Sequence, residues 1–229
     1  MDKKLVYKIA AVISGLSGLI ILAGVVIPIA SYRFESGTKY PQLISPLPQG
    51  SLEKEAESLD YTKASNWFTG GVPKERFVSS NILFYTISIP KLKIENATVA
   101  VGGEDLSKSL IQYPGTALPG RPGNSVIFGH SVLPIFFNPK DYISIFSKLN
   151  TLKAGDEIDV AYDAVSYSYQ VESMFEVLPS DIQVLEQDSS DSFLSLITCV
   201  PPGDPRKPKR LIVRARVVPP KEANADLGN

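Results

Sequence analysis

The chain has 229 residues, 44% of them hydrophobic and 21% charged, with a formal net charge of -1, which suits one globular domain plus appendages. Its 23 lysines and arginines are scattered rather than striped, which argues against a nucleic-acid partner. One cysteine and one histidine exclude an intramolecular disulfide and a four-ligand Cys/His zinc site free of carboxylates, so no metal or other cofactor is expected.

Residues 1–30 read as a cytoplasmic stub and a transmembrane anchor. From Ile9 to Ala30 every residue is uncharged and most are apolar, a run of roughly 33 Å as a helix and long enough for a bilayer core. Lys3, Lys4 and Lys8 precede it and place the N-terminus in the cytoplasm, sending the rest outside. A cleaved signal peptide is the competing reading, but no clean A-x-A site follows the run. Residues 31–80 mix Ser, Gly, Pro, Lys and Glu and read as an extracellular linker, with a short helix expected around Leu52 to Tyr61. Trp67 and Phe68 stand out there. Such aromatics either dock on the following domain or pack its first turn.

Residues 81–218 form the main domain. From Leu83 onward, short β-branched and aromatic runs alternate with Gly and Pro clusters, the pattern of an all-β unit. Candidate strands cover 83–89, 97–101, 125–130, 157–163, 166–174, 192–198 and 210–217, and seven or eight strands of this length favour a closed barrel or a sandwich. A short helix is expected over 141–149, where apolar residues recur at helical spacing, and a turn over 180–185 capped by Ser180. The polar segment 219–229 reads as a disordered tail.

Three residues draw attention to chemistry. The sole histidine, His130, ends an apolar strand in NSVIFGHS; the sole cysteine, Cys199, ends another in SLITCVPPG; and Arg210 opens the next strand in KRLIVRARV. In an antiparallel barrel, strand ends of like polarity gather on one rim, and Cys199 and Arg210 flank a single Pro/Gly-rich loop. A thiolate, an imidazole and a guanidinium together suffice for acyl transfer. Either residue could equally be structural, Cys199 as a buried filler and His130 as a satisfied core or surface side chain. Arg206 and Arg214 are rivals to Arg210.

These segments resemble the sortase family. LITCVPPG followed by KRLIVRARV is similar to the family's Thr-Cys strand end and following arginine, and SVIFGHS to its histidine segment. ISIPKLKIENATV, PGTALPGRPGNSVIFGHS and FSKLNTLKAGDEIDV are similar to further family segments, in the same order, so the likeness covers roughly residues 82–218. The resemblance implies a mainly β fold: a seven- to eight-stranded closed sortase-type β-barrel with one or two short helices, joined to the N-terminal transmembrane helix. It implies Cys199 as nucleophile, His130 as general acid and base, Arg210 as transition-state stabiliser, and Thr198 as a substrate-positioning residue.

It further implies a membrane-anchored cysteine transpeptidase that cleaves a Leu-Pro-x-Thr-Gly-like signal near the C-terminus of secreted proteins. The peptide then passes to an amine acceptor, a cell-wall precursor or a pilin lysine. No Asp-Pro-aromatic lid motif occurs in residues 31–80, which weakens the pilus reading. The apolar insertion LPIFFNPKDYIS after His130 either shapes a peptide groove or covers the barrel's side. Two other functions remain open: an exported cysteine peptidase that only hydrolyses, although papain-like enzymes place Cys before His, and a non-catalytic tethered β-domain that binds a surface partner.

Overall fold

The computed structural model describes residues 3–41, 59–71, 73, 76–77 and 83–219. Eight strands, β1 (Leu83–Ile89), β2 (Ile94–Val101), β3 (Leu110–Gln112), β4 (Gly123–Phe128), β5 (Glu157–Tyr162), β6 (Val165–Val177), β7 (Ser192–Val200) and β8 (Lys209–Val217), close into a barrel. Their order around it is β1-β2-β3-β4-β7-β8-β6-β5. Closure leaves no unpaired edge. Period-two alternation then divides the side chains of β7 and β8. Leu194, Leu196, Leu211 and Val213 fill the interior, while Ile197, Cys199 and Ile212 join a second apolar cluster. Every residue of β7 is buried, which explains why SFLSLITCV reads as a nearly continuous apolar run rather than an alternating one.

The barrel is closed as expected, but its pairing is mixed, not purely antiparallel as the rim argument supposed. β4 runs parallel to β7, and β2 parallel to β3. A parallel pair brings two C-terminal strand ends to the same rim, which is what unites the ends of β4 and β7. β3, three residues long, escaped the sequence reading because so short a strand carries no periodic signal.

Residues 141–149 are not an α-helix but successive turns leading into a 3₁₀ helix over Leu149–Thr151. The backbone bonds are of the i→i+3 kind, as in Ser144 N–H to Asp141 O and Ser147 N–H to Ser144 O. Phe146 N–H donates to His130 O at 2.9 Å, outside the segment, and so takes no part in a helical ladder. The turn after Leu178 contains a 3₁₀ helix over Ile182–Leu185. Asp181, not Ser180, precedes it, and the Asp181 carboxylate accepts from Leu178 N–H at 2.7 Å instead of capping forward. Most of the short helix expected around Leu52 to Tyr61 lies outside the described residues, and residues 59–61 are not helical. The tail lies outside them too, apart from residue 219.

The N-terminal helix α1 spans Lys3–Lys39, with a mean hydropathy of 2.5 over its most apolar window and none of that window buried. It is long and apolar enough to cross a membrane. It does not end with the apolar run. Residues 31–39, read from sequence as the start of a tether, continue the helix, and Tyr32 and Ser36, four apart, are buried together with Tyr40 just beyond it. This spacing aligns the three on one face, where Tyr32 and Tyr40 join the cluster that fills the barrel. The tether composition of 31–40 therefore conceals a docking stripe. The insertion after His130 mostly covers the barrel: the Tyr142 hydroxyl accepts from Thr98 N–H at 2.9 Å and Phe137 packs on the interior cluster, while Ile135 and Phe136 remain exposed.

Candidate active site

The antiparallel β7–β8 pairing sets Cys199 directly opposite Arg210. Side chains at directly opposed positions lie on the same face of the sheet, so thiol and guanidinium are neighbours. On the other side of β7, the β4 register pairs Phe128 with Ile197, and the contact extends beyond the strand through three hydrogen bonds. Gly129 N–H donates to Ile197 O at 3.1 Å, Thr198 Oγ1 to Gly129 O at 2.8 Å, and Ser131 Oγ to Cys199 O at 2.6 Å. His130 is thereby held between two residues tied to Thr198 and Cys199. The Thr198 hydroxyl is engaged inside the protein, on the segment that bears His130.

Of the three candidate arginines, only Arg210 pairs with Cys199. Arg206 makes two bonds to the Asp204 carboxylate, and Arg214 pairs with Ser195, four residues farther along β8. The Arg210 Nε donates to Trp67 O at 3.1 Å and Nη1 to Lys207 O and Lys209 O at 2.9 and 3.2 Å. Its Nη2 and the His130 Nε2 are buried without a hydrogen-bond partner. Two orphaned polar atoms beside a cysteine are places where an incoming group could bind. Among the described residues no group of three or more His, Cys, Asp or Glu side chains could hold a metal ion.

All three groups are covered: Cys199 is 2% exposed, His130 5% and Arg210 0%. Over His130 and Arg210 the cover is the segment 59–71, whose Trp67 shares an apolar cluster with Cys199; it is pinned by Ala64 N–H to Glu104 O, Leu106 N–H to Thr62 O and Thr69 N–H to Pro179 O. Trp67, fully buried, stacks on Phe128 with ring centroids 5.0 Å apart and lies 5.9 Å from the His130 ring. The Arg210 guanidinium carbon sits 5.2 Å from the Tyr61 ring and 5.6 Å from the Trp67 ring, both cation–π distances. Beside this strap an open cleft of about 460 Å³ is lined by Gly71, Tyr113, Thr116, Ile182 and Leu185 among others. Trp67 and Phe68 had been singled out in the sequence; Tyr61 had not, because one tyrosine in a polar stretch carries no periodicity.

Burial pushes the His130 pKa down to about 4, and the nearby Lys207 cation adds to the effect, against weaker opposing pulls from Asp60 and Asp105. The imidazole is therefore neutral in this arrangement at pH 7. Between the ordinary histidine value of 6.5 and about 4, the unfolded chain binds a proton that the folded one refuses. Stability contributed by the neutral imidazole is fully present above pH 6.5 and is lost as pH falls towards 4, an effect on the order of 3 kcal/mol. Denaturant unfolding of His130→Asn should accordingly lose much of the slope seen in the parent chain across this window. An identical slope in the variant would assign the acid sensitivity to other groups.

Residues 87–218 match the Sortase domain model. This chain belongs to the sortase family. It is 26% identical to sortase A of Bacillus anthracis over 223 residues, covering 95% of this chain and 97% of that one. It is 24% identical to sortase A of Streptococcus agalactiae over 76% of this chain and 70% of that protein. Among solved structures, a lid mutant of sortase A from Corynebacterium diphtheriae superposes with a TM-score of 0.52 at 25% identity, over 84% of this chain and 92% of that one. Sortase C-1 of Actinomyces oris, at 22% identity and a TM-score of 0.52, covers 85% and 98% and shares the fold. Members of the family are transpeptidases. The sequence resemblance and the closed, mainly β barrel expected from it both hold.

Proposed function

We propose that this sortase exchanges a peptide bond for a new amide through a thioester on Cys199. The observation that carries the reading is the direct pairing of Cys199 with Arg210 across β7 and β8, with His130 tied alongside. The Cys199 thiolate attacks the scissile carbonyl carbon, and the oxyanion accepts hydrogen bonds from the free Nη2 of Arg210. As the C–N bond breaks, protonated His130 gives its proton to the leaving amine. The incoming amine then gives a proton back to neutral His130, attacks the thioester carbon and expels the thiolate. Atoms and electrons balance without ATP or redox change.

The substrates in this reading are secreted proteins with a Leu-Pro-x-Thr-Gly-like C-terminal signal, and the acceptor is an amine of the cell surface, on a wall precursor or a pilin lysine. Residues 1–30 form the anchor with its N-terminus in the cytoplasm, and 81–218 the external catalytic unit. The closed strap cannot admit substrate, because Trp67 fills the surface over Phe128 and His130. Residues 59–71 therefore leave the site before acylation, and in this reading an extended peptide enters by the cleft beside them. Opening also rehydrates His130 and raises its pKa towards the range where it serves as both acid and base.

The test is incubation of the full chain, in detergent, with peptides carrying C-terminal sorting motifs, followed by mass spectrometry. An adduct of the N-terminal peptide fragment on Cys199, discharged faster by an added amine and yielding ligated product, is the expected result. Only hydrolysed peptide with every amine tried, lysine and diaminopimelate included, would make the protein a plain cysteine peptidase. Absence of any adduct would remove the acyl-transfer reading.

A further inference from the structure

Two residues in the C-terminal part of α1 touch β6, which pairs with the strand of Arg210, and the loop that leads into that strand. The Tyr32 hydroxyl donates to Glu176 Oε1 at 2.9 Å, and Lys209 Nζ donates to Glu176 Oε2 at 2.9 Å. Glu176 is 2% exposed and sits on β6 opposite Leu211, beside the Val177–Arg210 pair. One helix residue along, Arg33 Nη2 reaches Asp204 Oδ2 at 2.7 Å, where Arg206 also binds. Asp204 shapes the turn before β8: its N–H donates to Pro201 O at 3.1 Å and its carbonyl accepts from Lys207 N–H at 3.1 Å.

These two chains of contacts converge. The Nη1 of Arg210 donates to Lys209 O, on the residue that Glu176 holds, and to Lys207 O, on the turn that Asp204 shapes. A guanidinium is a rigid planar fork, so the carbonyls that receive one arm set the direction of the others, including the unpartnered Nη2. We infer that Tyr32 and Arg33 are positioning residues, through which the end of α1 fixes the two backbone carbonyls that aim Arg210. This goes beyond the anchoring of the chain and rests on the reading of Arg210 as the oxyanion donor. Glu176 is nearly fully buried, so losing either of its donors leaves a carboxylate oxygen poorly satisfied and the β6–β8 contact free to shift. α1 is thus a working part of the rim as well as an anchor.

Trp67, the only tryptophan of the chain, reports on Arg210 without any substrate, since its carbonyl accepts from Nε and its ring faces the guanidinium. The experiment compares the full chain in detergent with the Tyr32→Phe/Arg33→Ala double variant, with Arg33→Lys, and with Lys39→Ala. Lys39 binds Asn150 O, outside both chains of contacts, and serves as the control on the same helix. The double variant should form acyl-enzyme roughly tenfold more slowly in single turnover, at a KM within about a factor of two of the parent, and show altered Trp67 emission. Arg33→Lys should restore most of its share, and Lys39→Ala should match the parent. An unchanged rate and unchanged emission in the double variant, or a lowered thermal midpoint alone, overturns the positioning role. If the parent itself forms no acyl-enzyme, the sorting reading fails, while Trp67 emission still decides whether the helix end sets Arg210.

Discussion

Arg210→Lys is expected to lower turnover by roughly a hundred- to a thousandfold, the usual effect of removing one oxyanion donor. In the closed state Arg210 spends Nε and Nη1 on three backbone carbonyls; once the strap with Trp67 O has left, Nη1 still holds Lys207 O and Lys209 O, and Nη2 is directed at the reacting oxygen. A lysine ammonium has one nitrogen on a flexible stem. It can satisfy the carbonyls or approach the oxyanion, but it cannot hold both directions at once. The charge survives, so any loss measures geometry rather than net field. Peptide affinity should change far less than kcat, because the interaction strengthens only as negative charge develops on the oxygen. Steady-state kinetics with a sorting peptide gives both numbers. Equal turnover in the variant would move the role to Arg206 or Arg214, in spite of their placement elsewhere.

The strands that carry the candidate residues were legible in the sequence because each such residue borders a strong apolar run, His130 and Cys199 at its end and Arg210 at its start. The β7 and β8 runs announce themselves by composition, and their short connection predicts the hairpin that pairs Cys199 with Arg210. The placement of His130 was harder. It depends on β4 lying parallel to β7, a long-range choice that leaves no mark in either strand's own pattern. The likeness to a known family supplied what spacing could not. Residues 141–149 misled because buried positions at helical spacing arise as readily from successive turns when a backbone N–H is diverted, here from Phe146 to His130. The docking stripe Tyr32, Ser36 and Tyr40 was hidden for another reason: Arg, Phe and Glu and then Gly, Thr and Lys separate its members, and this mixed, largely polar stretch has the composition of a linker. Glu176 offered no signal at all, since a lone carboxylate in a strand usually points to water.

Trp67→Ala is expected to raise the labelling rate of Cys199 by a small thiol reagent at least about tenfold at neutral pH. With 2% of Cys199 exposed, a reagent reaches it only when the strap opens locally, so the rate reports the open population. Trp67 is the principal apolar plug of the strap, stacked on Phe128 and facing His130 and Arg210. Truncating a buried tryptophan costs about 3–5 kcal/mol, and a change of about 1.4 kcal/mol in a local opening equilibrium already shifts it tenfold. The loss falls mainly on the strap, because the eight-stranded barrel closes without it. His130 should respond in step: with the ring gone, water reaches the imidazole and its pKa climbs from about 4 back towards 6.5. Phe84→Ala, at an exposed position of β1, is the control and should leave labelling unchanged. A fall in thermal midpoint with labelling and His130 titration both unaltered would show that residues 59–71 are a fixed wall, and that substrate must reach Cys199 by another face of the barrel.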